Sequence, residues 1–129
     1  MIEFFPNNLK ESDFVSKGEF RLYKKFKEYE VSKDWIIYHS QELHHHQTQF
    51  MGEIDFIIII PEIGVLVVEV KDHKTIDYDP NSGNWHLGRD SPTKKSPFKQ
   101  ARDNRISLFE YFVKKYQIMK EVLFWDVVV

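Results

Sequence analysis

Asp55, Glu69 and Lys71 are the residues of this chain whose types and spacing point to chemistry. They sit in two β-branched apolar runs, 54–60 and 64–71, joined by Pro61-Glu62-Ile63-Gly64. Such a pattern predicts a β-hairpin. Strand side chains alternate faces, so Glu69 and Lys71 share a side and Val70 takes the other. With a connection of three or four residues, facing positions sum to about 124, which sets Asp55 opposite Glu69 with Cβ atoms about 5 Å apart. Two carboxylates so close in an apolar sheet repel each other and resist desolvation unless a cation or a shared proton relieves them. The competing reading is a surface salt bridge, worth little. Phosphodiester hydrolysis is the chemistry that uses the trio: hard oxygen ligands hold Mg²⁺, and a nearby lysine orients or deprotonates a metal-bound water.

Other elements must position these groups. Residues 1–11 read as a lead-in closed by Pro6-Asn7-Asn8. From about 12 to 30 the pattern is helical, with Ser12 or Asp13 as cap and Phe14, Gly18, Leu22, Phe26 and Tyr29 or Glu30 on one face. Glu19 borders that face: it is either a solvated helix carboxylate or an additional acidic group at the sheet end. Asp34–Ser40 reads as the first strand. Residues 41–51 form a polar connection in which His44, His45 and His46 point in different directions and cannot all chelate one ion. An exposed loop, or a contact with substrate phosphate, suits them better than a zinc site.

Past Lys71, residues 72–78 and 84–87 flank Asp79-Pro80-Asn81-Ser82-Gly83, a second small hairpin. Trp85 packs there or stacks on a base. Between 88 and 105 the charge turns positive through Arg89, Lys94, Lys95, Lys99, Arg102 and Arg105, against Asp90 and Asp103. The cluster is a solvated face or a phosphate contact, and its place before a helix start raises the latter to equal weight. Ser96-Pro97 caps that helix, which runs to about Tyr116 with Phe98, Ala101, Leu108, Phe109 and Phe112 as its buried stripe. Gln100 falls in the first turn, where free backbone N–H groups favour anions. Residues 121–129 read as a last strand, and the ending Val127-Val128-Val129 lacks polar punctuation, so a longer natural protein is expected.

Composition narrows the classes. A chain of 129 residues suits one domain, and 42% apolar with 16% aromatic residues argues for a folded globule rather than a disordered tail. The net charge of −2 leaves any nucleic-acid role to local basic patches and metal. No cysteine is present, which excludes disulfides, a thiol nucleophile and zinc–thiolate sites. Nothing reads as a membrane span or signal peptide, and a cytoplasmic protein is expected.

The spacing Asp-x13-Glu-x-Lys resembles the signature of the PD-(D/E)xK nuclease superfamily. The order helix, three strands, small hairpin, helix, strand resembles its αβββαβ restriction-endonuclease-like core, an α+β fold on a mixed sheet. More specifically, Ser16–Glu19, Gly52–Phe56, Val68–Lys71, Trp85 and Pro97–Ala101, in that order, resemble the nuclease-related domain (NERD) family across residues 14–129. The resemblance implies Asp55 and Glu69 as metal ligands, joined by the Val70 carbonyl, with Mg²⁺ as cofactor and Mn²⁺ as its substitute. It implies that Lys71 activates water, that Glu19 is the extra acid, and that Gln100 faces phosphate or water. DNA is the expected partner, with RNA, a homodimer and a C-terminal helicase or other domain as further options. Three functions follow: a Mg²⁺-dependent DNA nuclease, a non-catalytic module that recruits a larger machine to nucleic acid or to a partner protein, or a structural domain whose acids hold only a lysine.

Overall fold

The computed structural model describes residues 2–29, 34–40, 54–115 and 121–129. The histidine run 44–46 and the connection around it lie outside the described residues. Five strands form one mixed sheet in the order β1-β2-β3-β4-β7: β1 (Ile2–Phe5), β2 (Trp35–His39), β3 (Phe56–Ile60), β4 (Gly64–Glu69) and β7 (Phe124–Val128). A separate two-stranded ribbon joins β5 (Ile76–Asp79) to β6 (Asn84–Leu87). Helices α1 (Lys17–Glu28) and α2 (Pro97–Lys115) cover the sheet. The expected α+β architecture with a restriction-endonuclease-like core is therefore present.

The hairpin of β3 and β4 has the register that its loop length dictates, since Phe56 pairs with Val68 and Ile60 with Gly64. Pro61, Glu62 and Ile63 make the turn, with Glu62 at φ 66° and Gly64 at φ 149°. A Cβ on Gly64 would run into the Leu123 carbonyl, so glycine also lets β7 come close. Strand β3 is the middle strand, which accounts for its apolar character on both faces. Ile57, Val65 and Val67 pack with Ile54 and Leu108 on the α2 side. Phe56, Ile58 and Val68 pack with Tyr23 and Ile37 on the α1 side. Arg105 of α2 is tied to Asp126 of β7 at 2.5 Å, fixing the helix along the sheet edge.

Several expectations need correction. Residues 2–5 are not a lead-in but strand β1, parallel to β2, with alternating half-buried and exposed residues. A four-residue strand whose partner lies some thirty residues away leaves too little local pattern to read (about one face of two side chains). Helix α1 begins later than expected: Ser16 is its cap, and Ser12 and Asp13 belong to a short 3₁₀ turn, Glu11–Asp13, in front of it. The buried face of α1 is centred on Glu19 and Tyr23, and Tyr29 lies just past the helix and is exposed. Phe98 is 60% exposed instead of buried, because α2 sinks Pro97, Ala101, Asn104 and Leu108 and turns Phe98 toward the ribbon. No helix among the described residues is long and apolar enough to cross a membrane.

Candidate active site

The acidic pair and the lysine arise where β3 begins and β4 ends. Extending the hairpin register by one step sets Asp55 across from Glu69, as their spacing predicts. Residues 65, 67, 69 and 71 share a face, so Glu69 and Lys71 project toward α2, while Asp55 sits in the bend just before β3. Lys71 Nζ lies 3.2 Å from Glu69 Oε1 and donates to Gln100 Oε1 at 3.3 Å. Asp55 Oδ2 accepts the Val70 N–H at 2.8 Å. Four of the five predicted side chains thus meet at one corner of the sheet.

Electrostatics there are unusual for carboxylates. Burial, and then the neighbouring Glu69 charge, push Asp55 up to about 7, while the Val70 N–H works against the shift. Burial likewise raises Glu69, opposed chiefly by Lys71. Glu69 is 4% exposed, and its Oε2 is buried with no hydrogen-bond partner among the described residues. A buried, unpartnered carboxylate oxygen is costly. The corner therefore fits a cation, and Asp55 Oδ1, Glu69 Oε2 and the Val70 carbonyl are oxygens of the hard type that Mg²⁺ prefers. No group of three or more His, Asp or Glu side chains gathers as a metal-holding set among the described residues. Two carboxylates are still an ordinary protein contribution for Mg²⁺, which keeps several waters.

Glu19 comes from the other face. It is 3% exposed on α1, and its Oε1 lies 3.1 Å from His39 Nε2 at the end of β2. Ser16 Oγ accepts the Glu19 N–H at 3.2 Å and donates to Glu19 Oε2 at 3.5 Å, so the cap that starts the helix also holds the acid. Its charge still reaches the corner, raising both Asp55 and Glu69. His39 was not singled out in the sequence. It is 2% exposed, packed between the tilted rings of Phe14 and Phe56 with centroids 4.6 and 5.0 Å away, and also 3.4 Å from Ser40 Oγ. The available signal was period: Trp35, Ile37 and His39 share a strand face, and a histidine ends an apolar series.

Asp72 is a second residue that spacing alone did not reveal. Its Oδ2 accepts the Gly18 N–H at 2.9 Å and its Oδ1 accepts from Arg21 at 2.8 Å. The residue after Lys71 thus caps α1 from outside the helix. Of the basic cluster, Lys95 acts on Glu69 through its charge. Lys99 pairs with Asp103 at 2.6 Å, Lys94 Nζ donates to the Ser82 carbonyl, and Arg89 and Arg102 are exposed. Trp85 lies between Tyr78 and Phe98, with ring centroids 5.0 and 5.9 Å away, and so packs within the ribbon.

A mixed sheet with helices on both faces and an acid pair plus lysine at its rim is the arrangement of the restriction-endonuclease-like class. The nuclease-related domain profile, NERD, matches residues 15–129. The chain belongs to that family. Neither curated proteins nor solved structures gave a match.

Proposed function

We propose that the chain is a Mg²⁺-dependent nuclease that hydrolyses phosphodiester bonds in DNA. The observation that carries this reading is the unpartnered, buried Glu69 Oε2 beside a second buried carboxylate, Asp55. Asp55 and Glu69 would hold Mg²⁺, or Mn²⁺ in its place, with the Val70 carbonyl as a third oxygen. When bound, the ion supplies charge neutralisation at the phosphate and a water of lowered pKa.

The chain's own groups do the rest. Lys71 has three N–H donors; one reaches Glu69 and one Gln100, leaving a third to orient the attacking water or a phosphate oxygen. Gln100 fixes the lysine from the first turn of α2, where the helix dipole also favours phosphate. Glu19, clamped by His39, adds negative charge behind the pair and strengthens its hold on a cation. Lys95, with Arg89, Lys94, Lys99 and Arg102 nearby in sequence, offers cations to the DNA backbone on the α2 side.

Cleavage of plasmid and single-stranded DNA with Mg²⁺ or Mn²⁺ tests the proposal beside a Lys71→Ala protein. A loss of about a hundredfold or more is expected for the variant. Equal activity in both proteins would overturn the assignment. One observation favours a second reading, a non-catalytic DNA-binding module: Lys71 already pairs with Glu69 inside the protein. That reading predicts DNA binding indifferent to Mg²⁺ and to Glu69→Gln.

A further inference from the structure

A groove of about 680 Å³ opens on the side of the sheet rim opposite the basic cluster of α2. Lys17, Arg21 and Lys24 of α1 line one wall; Asp72, His73 and Lys74, the residues directly after Lys71, form the other. Lys17, Arg21 and Lys24 are spaced i, i+4 and i+7, one face of a helix, and all three are exposed. They span about 10 Å of helix rise. Four cations thus meet two carboxylates, Glu11 and Asp72, in a chain whose net charge is −2. Asp72 is committed to the Gly18 N–H and Arg21. Lys17, Lys24 and Lys74 form no ion pair among the described residues, and Lys24 stands over the Phe20 ring at 4.7 Å.

We infer that this groove binds the phosphate backbone of the nucleic acid on the α1 side of the rim. The inference rests on reading the rim as a nucleic-acid site, and it supplies that site with a second arm. The acid pair lies between the two basic surfaces, α1 cations on one face and Lys95 on the other. Asp72 follows Lys71 directly in the chain, so one wall of the groove begins at the residue next to the lysine.

The test is fluorescence anisotropy of the full chain with a labelled DNA duplex and its single strand, in EDTA so that no cleavage occurs. The triple variant Lys17→Gln, Lys24→Gln, Lys74→Gln is expected to weaken binding about tenfold. It should also flatten the dependence of log affinity on log salt by about 2 to 3. The matching arginine triple should keep both values. Unchanged affinity and slope in the glutamine triple, or lysine-dependent binding to anionic phospholipid vesicles without binding to DNA, would overturn the inference. Lysine-dependent DNA binding in a chain that cleaves nothing sustains the groove and sinks only the catalytic proposal. Conversely, Lys71-dependent cleavage with groove-independent binding removes the groove alone.

Discussion

The two helices start in the same way and end up in opposite surroundings. In α1, Ser16 Oγ accepts the N–H of Glu19; in α2, Ser96 Oγ accepts the N–H of Lys99, the corresponding third position. Glu19 is buried against His39, whereas Lys99 is solvated and pairs only with Asp103 one turn on. The cause lies outside the helices. Gly18 allows α1 to press flush on Asp72, where an added Cβ would stand 2.8 Å from the Asp72 Cβ. At the start of α2, Phe98 leans on the ribbon and stays largely exposed, and Gln100 reaches the sheet rim. An identical local cap therefore delivers an anion behind the acid pair on one face and cations in front of it on the other.

The buried side should be the brittle one. Replacing His39 with leucine leaves the Glu19 carboxylate buried without its partner, and urea unfolding is expected to show a loss of about 2–4 kcal/mol. A neutral result would mean that Glu19 escapes to solvent and that the two helix starts differ less than their burial suggests.

Acidity at the pair comes next. With Asp55 raised to about 7, the folded protein holds a proton that the unfolded chain has lost above its ordinary value of 3.8. Stability from this group is thus fully present below about 4 and declines as pH rises through about 7. Metal binding runs the other way, because the ion needs the deprotonated form. Calorimetric Mn²⁺ affinity should fall up to about tenfold per pH unit below 7. Asp55→Asn should flatten that profile and make the metal-free protein more stable toward neutral pH. A Mn²⁺ affinity that does not vary between pH 5 and 8 would contradict the assignment of Asp55.

Gly18→Ala sharpens the contrast further. Alanine favours an isolated helix by about 1 kcal/mol, yet here the clash with Asp72 should reverse the sign. A net loss of about 1–2 kcal/mol is expected in thermal or urea melts, together with weaker cleavage as Glu19 shifts. If the variant is stabilised, Asp72 does not hold α1 in place. Smallest is Ser96→Ala, which removes an exposed cap and should cost about 1 kcal/mol. Its mirror, Ser16→Ala, should cost more, since it also frees a buried acid.

Much of the corner was legible because its information is local. A three-residue turn fixes the register of β3 and β4, which brings Asp55 across from Glu69, and period 2 then sets Glu69 and Lys71 on one face. Ser96-Pro97 marks the start of α2 by chemistry contained within four residues. Where local signals are weak, several structures fit the same residues. Ser12 and Asp13 are as good caps as Ser16, and only docking against Asp72 selects the last. Phe98 matched the buried stripe of α2 by spacing, but the ribbon gives it a partner away from the core.

By itself the sequence determined the hairpin, its register, the side on which Glu69 and Lys71 emerge, and the cap of the second helix. All of these depend on contacts between residues near in the chain, where backbone period and turn geometry leave few alternatives. Tertiary structure decided that Glu19 is buried by His39, that Asp72 seals the first helix, that residues 2–5 pair with β2, and that α1 cations border a groove beside Lys71. Those contacts join residues from about 20 to 54 positions apart, and no local period encodes which distant surfaces will meet once the two faces of the sheet are covered.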